Sequence, residues 1–169
     1  LKIIMENNWF HLTINSEAGK TSYSEWLKID ETDIKVIHNG TDFKSMEANT
    51  RIGAIKSEIG GLGMEKENII IGGVFRLEAG KRPRLWIEVL ERLIMENGNI
   101  RGLIIGGGKM EKTVKKWVRD KDLQDKIKIL GERKDVAGWL SEIDIFLLTS
   151  ISEGLPNAII EAQEKTKNE

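Results

Sequence analysis

The amino-acid sequence predicts an α/β fold, a Rossmann-like parallel sheet with helices on both faces. Strand-like and helix-like segments alternate four times between Asn68 and Ala162. Such alternation is typical of βαβ crossovers, which build a parallel sheet. Each strand-like segment ends in glycines or in a polar loop. Because ligands of such sheets bind beyond the carboxyl ends of the strands, we expect the functional residues in those loops.

The individual elements follow from short apolar runs and the residues that flank them. Residues 69–71 form a β-branched run that ends in two glycines, and Pro83 begins an amphipathic helix that ends before Asn97. The other predicted strands are residues 12–14, 35–38, 101–105, 127–130 and 143–148. The other predicted helices are residues 16–27 and 41–63, one that carries Val114 and Trp117, one after Asp135 and one that begins at Pro156.

Composition excludes several classes of protein. The chain has 169 residues, a net charge of −1 and no cysteine. This near balance of charge argues against a dedicated nucleic-acid binder, and the lack of cysteine excludes disulfides and thiolate metal sites. No apolar run is long enough to predict a membrane span. His11 and His38 lack partners at ligand spacing, so we predict no zinc site. The N-terminus lacks the longer apolar stretch of a secretion signal, so we expect a cytoplasmic protein.

The strongest motif is the segment Ser152-Glu-Gly-Leu-Pro-Asn-Ala-Ile-Ile-Glu-Ala162, which opens the last predicted helix. Gly154 allows a ligand to approach the backbone, and Pro156 suits a first helical turn. The unpaired N–H groups of a helix start favour an anion such as a phosphate. Glu153 and Glu161 are separated by roughly 12 Å of helical rise. Two solvent-facing glutamates are an equally good interpretation of that spacing alone.

This motif resembles the E-x7-E motif of the retaining glycosyltransferases of family four, also called group 1. The resemblance implies that Glu153 lies near the transferred sugar and that Glu161 binds the ribose hydroxyls of a nucleotide sugar. It further implies that the backbone of Gly154, Leu155, Pro156 and Asn157 contacts the sugar and the diphosphate, with Pro156 offering only its carbonyl and its shape.

Further segments resemble the same family. Gly73-Val-Phe-Arg76, followed by Lys81, is similar to the segment whose arginine and lysine clamp the diphosphate, although a solvated basic loop is the alternative. Residues 106–108 resemble a glycine motif near the sugar, which implies a donor-binding role for Gly106 and Gly108; a tight turn is the alternative. Residues 130–133 resemble the family's loop whose backbone faces the nucleobase, which implies that Arg133 contacts the base; an exposed surface arginine is the alternative. Residues 36–42 resemble the segment where the family's two domains join.

The resemblance implies one half of a GT-B fold: residues 1–40 would be the tail of an acceptor-binding domain and residues 41–169 part of the donor-binding domain. We expect a chain truncated at both ends and inactive alone, which binds a UDP-, GDP- or other nucleoside-diphosphate sugar without a cofactor or a catalytic metal. The acceptor would be a carbohydrate or lipid-linked molecule bound by the absent domain. Polysaccharide or glycolipid synthesis at the inner face of the membrane would follow, with the full enzyme associated peripherally.

Two alternatives stay open from the sequence. One is a nucleotide-sugar epimerase of the same architecture, which would need no acceptor. The other is a non-catalytic module that binds a nucleotide or a partner protein. Product analysis would distinguish the epimerase, and the absence of nucleoside-diphosphate binding would favour the module.

Overall fold

A computed structural model describes residues 12–41 and 52–166 of the chain. These residues form two compact units. The smaller unit holds residues 12–41 together with residues 153–157, and the larger one holds residues 52–152 and 158–166. The predicted domain boundary at residue 40 stays a prediction, and the first part of the predicted helix 41–63 lies outside the described residues.

The smaller unit is built on a βαβ segment. Strand β1 (Leu12–Ile14) pairs in parallel with β2 (Ile34–Val36), and helix α1 (Glu17–Leu27) lies between them in the chain. Ser16 caps α1, since its backbone is extended and its hydroxyl oxygen accepts from the Gly19 N–H at 3.1 Å. A cap of this kind satisfies one of the unpaired N–H groups of a helix start. The predicted strands and helix of this segment are therefore confirmed within one or two residues.

The larger unit contains a four-stranded parallel sheet. Its strands are β3 (Ile69–Val74), β4 (Ile100–Ile105), β5 (Ile127–Gly131) and β6 (Ile145–Phe146), in the spatial order β5-β4-β3-β6. The connecting helices are α2 (Ile52–Gly61), α3 (Pro83–Glu96), α4 (Glu111–Asp120), α5 (Val136–Leu140) and α6 (Asn157–Thr166). The order reverses between β3 and β6, and in such sheets this switch point opens the crevice that ligands use.

Helices cover both faces of this sheet. Ile71 of β3 and Ile104 of β4 pack in one apolar cluster with Leu90 of α3 and Val114 of α4. Their strand neighbours Ile70, Leu103 and Ile105 pack in a second cluster with residues of α2, α5 and α6, which are Ile55, Trp139 and Ala162. Since successive strand residues point to opposite faces, both faces of each central strand are apolar and buried. The predicted fold class is confirmed.

The last predicted strand is longer than the observed one. Residues 143–148 were expected to be extended, whereas β6 comprises only Ile145–Phe146. Before it, the Ile143 N–H bonds to the Leu140 carbonyl at 3.3 Å and forms a turn. After it, the Leu147 N–H still donates to the Gly72 carbonyl at 2.8 Å, but the Leu147 carbonyl accepts from the Trp86 indole N–H at 3.1 Å. The Thr149 hydroxyl then bonds to the carbonyls of Lys81 and Arg82 at 3.0 and 3.1 Å.

Among the described residues, no helix combines the length and the apolar character that crossing a lipid bilayer requires.

Candidate functional site

Two loops at the carboxyl ends of β3 and β4 are joined by backbone hydrogen bonds. The Leu77 N–H donates to the Gly107 carbonyl at 2.9 Å, and the Met110 N–H donates to the Leu77 carbonyl at 2.9 Å. Gly106 and Gly108 have φ values of +136° and +151°. A Cβ at Gly106 would lie 2.1 Å from the Phe75 oxygen, and one at Gly108 would lie 2.7 Å from the Leu77 oxygen. The close approach of the two loops therefore requires both glycines, whatever ligand they bind.

Gly73 allows another close approach, at the switch point. Its missing Cβ would lie 2.9 Å from the Leu147 carbonyl oxygen and 3.0 Å from Nε1 of Trp86. The Trp86 indole N–H donates to that same Leu147 carbonyl at 3.1 Å. Gly73 thus lets the chain that follows β6 pack against β3. This packing alone explains why a glycine is present at position 73, and its predicted contact with a ligand stays a prediction.

A cavity of about 460 Å³ opens at the carboxyl ends of β3, β4 and β5. The predicted site residues Arg76, Gly106, Gly108 and Arg133 all line it. Glu78, Lys109 and Glu132 line it as well and were not predicted as site residues. Lys109 has no motif of its own in the sequence, and only its position after the three glycines could have indicated it.

Arg76 is an exposed cation of this cavity. Its side chain is 81% exposed, and Nη1 lies 3.8 Å from Oε1 of Glu78. A solvent-exposed ion pair at that distance contributes little, because water screens it. The guanidinium can therefore exchange this contact for an anionic ligand.

Lys81 lies in a loop that the chain after β6 holds in place. It ends the 3₁₀ turn Ala79–Lys81, and Arg82 follows in the left-handed conformation with φ of 51° before Pro83 begins α3. Besides the Thr149 hydroxyl, the Ile151 N–H bonds to this loop, at 2.9 Å from the Gly80 carbonyl. Within the larger unit, these bonds fix the backbone of the predicted diphosphate-binding lysine.

Arg133 is held by two carboxylates. Nε and Nη2 donate to Asp135 at 2.9 and 2.8 Å, while Nη1 and Nη2 donate to Glu58 at 3.0 and 3.1 Å. The guanidinium lies over the Trp139 ring, 5.1 Å from its centre, and the side chain is only 26% exposed. These hydrogen bonds raise the pKa of Arg133 and lower that of Asp135. Arg133 is thus not an exposed surface arginine, and its predicted contact with a base stays a prediction.

Glu161 is a half-buried carboxylate of α6. Burial raises its pKa, and burial is the sole cause. No described residue is seen to donate a hydrogen bond or to form an ion pair with this carboxylate. A desolvated acceptor without donors is unfavourable, and hydroxyl groups of a ligand would relieve that cost.

The turn that carries Glu153 and Gly154 belongs to the smaller unit. The Asn39 amide nitrogen donates to the Leu155 carbonyl at 2.9 Å and to Oδ1 of Asn157 at 2.7 Å. A Cβ at Gly154 would lie 2.5 Å from Oδ1 of Asn15, so an alanine there would require the Asn15 side chain to move. Asn15 was not predicted, and nothing in the sequence indicates it. Asn39 was predicted only as part of the segment between the domains.

The predicted site residues thus fall into two groups. The larger unit brings together Arg76, Gly106, Gly108 and Arg133 around one cavity. Gly73, Lys81 and Glu161 belong to the same unit but do not line that cavity. The smaller unit holds the predicted residues 153–157.

Comparison with known proteins identifies relatives of the chain. The sequence model of a family described as glycosyl transferases group 1 matches residues 55–167. The Vi polysaccharide biosynthesis protein VipC/TviE of Salmonella typhi is 29% identical over 149 residues, which are 88% of this chain and 26% of that protein. The UDP-Gal:alpha-D-GlcNAc-diphosphoundecaprenol alpha-1,3-galactosyltransferase of Escherichia coli is 33% identical over 141 residues, 81% of this chain and 36% of that protein.

Solved structures share the fold. HepE of Anabaena, in complex with UDP and glucose, superposes with a TM-score of 0.76 at 22% identity over 95% of this chain and 44% of its own. The lipopolysaccharide glycosyltransferase WaaG superposes with a TM-score of 0.73 at 13% identity over 92% of this chain and 42% of its own. At these identities the likeness shows the fold alone, one Rossmann-like domain of the GT-B architecture. The chain spans less than half the length of each of these relatives. Because the family model matches most of the chain, the protein belongs to the group 1 glycosyltransferases.

Proposed function

We propose that the chain binds the nucleoside-diphosphate part of a sugar donor and that the whole protein transfers the glycosyl group to an acceptor with retention of anomeric configuration. The observation that carries the proposal is the cavity of about 460 Å³ at the carboxyl ends of β3, β4 and β5. Its lining combines an exposed guanidinium, that of Arg76, with the backbone of the glycine loop 106–108. Cations and closely approachable backbone are what a pyrophosphate group requires.

Arg76 and Lys81 would stabilise the leaving group. Cleavage of the bond between the anomeric carbon and the diphosphate oxygen places new negative charge on the diphosphate. Fixed cations at that point stabilise the transition state more than the ground state, which is the condition for catalysis. The hydrogen bonds that fix residues 80–82 support this role, because a cation on a rigid loop needs no reorganisation during the reaction.

The two glutamates would bind hydroxyl groups of the donor. Glu161 has a half-buried carboxylate that lacks donors among the described residues, so the ribose hydroxyls would supply the missing hydrogen bonds. Glu153 would contact the sugar, and the backbone of residues 154–157 the sugar and the diphosphate. Arg133, fixed by its two carboxylates, would offer the flat surface of its guanidinium to the base.

UDP is the first nucleotide to test, because the Escherichia coli relative is named for UDP-Gal and HepE was crystallised with UDP. The names of the relatives suggest an acceptor for the whole protein in polysaccharide or lipid-linked glycan synthesis. Synthesis in the cytoplasm, at the inner face of the membrane, stays part of the proposal. Because the proposal assigns only donor binding to the 169-residue chain, we expect the chain alone to show no transferase activity.

Thermal shift with UDP, GDP, ADP and their glucose conjugates tests the proposal. A ligand at about a hundred times its Kd should stabilise the fold by roughly 2.7 kcal/mol. Calorimetry on Arg76→Ala and Glu161→Ala should then show weaker binding of the same ligand. Arg92→Ala is the matched control, because Arg92 is an equally exposed arginine, at 85%, on the outer surface of α3.

The outcomes separate the candidate functions. Loss of binding in Arg76→Ala and Glu161→Ala but not in Arg92→Ala supports the donor site. Binding that neither variant weakens would place the nucleotide elsewhere. A folded chain that binds no nucleoside diphosphate would contradict the proposal and favour a module that binds a partner protein.

A further inference from the structure

We infer that Asn39 is a positioning residue for the diphosphate: its amide group holds the turn 153–157 in the conformation that presents backbone N–H groups to the ligand. The inference rests on the proposed function and names a residue to which the sequence motifs give no such role. Asn39 lies 116 positions before Leu155 in the chain, yet both belong to the same compact unit.

The first argument is the hydrogen bonding of Asn39. One nitrogen, Nδ2, donates to two acceptors of the turn, the Leu155 carbonyl at 2.9 Å and Oδ1 of Asn157 at 2.7 Å. A primary amide carries two N–H bonds, so each acceptor receives its own hydrogen. Both donors of Asn39 are therefore used to hold a single turn, on either side of Pro156.

The second argument is how Asn39 itself is fixed. It follows β2, which pairs in parallel with β1, and the Ile37 N–H continues this pairing by donating to the Ile14 carbonyl at 2.8 Å. His38 lies between Ile37 and Asn39 in the chain, and its Nδ1–H donates to the Asn15 carbonyl at 3.1 Å. Asn39 therefore lies at the carboxyl end of the two-stranded sheet, where hydrogen bonds between the segments that follow β1 and β2 hold its backbone.

The third argument is the close packing of the turn on this edge. A Cβ added at Gly154 would lie 2.5 Å from Oδ1 of Asn15 and 3.3 Å from the Ser16 hydroxyl oxygen. Asn15 and Asn39 therefore contact the turn at two points, Gly154 and Leu155. Together they fix the peptide planes between these points.

The consequence is that the turn keeps its donors available. Within the described residues, the N–H groups of Gly154 and Leu155 donate to no backbone carbonyl, while the Leu155 carbonyl is occupied by Asn39. Backbone N–H groups such as those of Gly154 and Leu155, which donate to no described backbone carbonyl, are suited to an anion. Without Asn39, the Leu155 peptide could rotate and lose this orientation.

The test compares UDP with UMP, which lacks the β-phosphate, on the 169-residue chain by calorimetry. Asn39→Ala should weaken UDP binding roughly tenfold, the effect of about 1.4 kcal/mol of lost positioning, and leave UMP binding within about twofold. Asn97→Ala is the matched control, because it also removes an asparagine hydrogen bond, from the Asn99 N–H, in the other unit. It should change neither affinity.

A second variant guards against simple loss of structure. Asn157→Ala removes one of the two acceptors and should produce the same selective loss, to a smaller extent. Equal losses for UDP and UMP would assign Asn39 a structural role only and overturn the inference. Unchanged UDP binding in Asn39→Ala would overturn it too, with the proposed function intact. If the unaltered chain binds no UDP, the proposed function fails first and the inference falls with it.

Discussion

Replacing Gly106 by alanine tests whether the two loops of the cavity meet as closely as the structure shows. The added Cβ would lie 2.1 Å from the Phe75 oxygen and 3.0 Å from its carbonyl carbon. An ordinary C···O contact is about 3.3 Å, so the carbonyl would have to move by about 1 Å. Hydrogen bonds on both sides resist that movement, from the Phe75 N–H to Ile105 and from the Leu77 N–H to Gly107.

The expected loss of stability has two parts. A side chain at a φ of +136° costs roughly 1–3 kcal/mol, and overpacking costs about as much again. The sum, roughly 2–6 kcal/mol, is a large share of the total stability of about 5–15 kcal/mol expected for a domain. For a chain of this size, each kcal/mol lowers the melting temperature by roughly 2–4 °C, so the shift should be on the order of 10 °C.

Thermal unfolding followed by circular dichroism measures the effect, with Gly107→Ala as the control from the same loop. The nearest atom to a Cβ at Gly107 is Oε2 of Glu111, at 3.6 Å, which is an ordinary contact. Gly107→Ala should therefore melt close to the unaltered chain. The reasoning is wrong if Gly106→Ala also melts within about 2 °C of it, because the Phe75 carbonyl could then move at little cost.

Two further predictions concern charged residues of the larger unit. Arg133→Ala should destabilise the fold by roughly 1–2 kcal/mol, allowing for solvent screening at half-exposed Glu58. Arg133 lowers the pKa of Asp135, so the stability this pair contributes should be present at neutral pH and fade below about pH 4; urea unfolding at both pH values checks it. Burial raises the pKa of Glu161, so its charge costs stability at neutral pH. At neutral pH, Glu161→Gln should therefore be more stable than the unaltered chain. The difference should vanish below about pH 4 in the same assay. An effect of Arg133→Ala or Glu161→Gln on stability that does not depend on pH would contradict these assignments.

The parallel sheet could be predicted because its signals are local. A β-branched run before two glycines and a proline at a helix start do not depend on distant residues, and β3 and α3 lie where they were predicted. The end of β6 could not be predicted from such signals. Directly after it, the Leu147 carbonyl accepts from the indole N–H of Trp86, 61 positions earlier in the chain.

The candidate site shows the same division. The resemblance selected Arg76, Gly106 and Gly108, which line one cavity, although their roles in binding stay predictions. It could not show that Arg133 is held by Glu58, 75 positions earlier in the chain, since ion pairs between distant segments leave no local pattern. The glycines illustrate a further limit. Their conformations follow from loop packing, so a glycine motif by itself does not distinguish a ligand contact from a structural need.

The E-x7-E motif illustrates why a linear pattern needs the structure beside it. Glu153 belongs to the smaller unit and Glu161 to the larger one, although only seven residues separate them. Glu153 shares its unit with the asparagines that contact the turn. Glu161 lies on α6, and its pKa is raised by burial there. The two halves of the motif therefore depend on different sets of contacts.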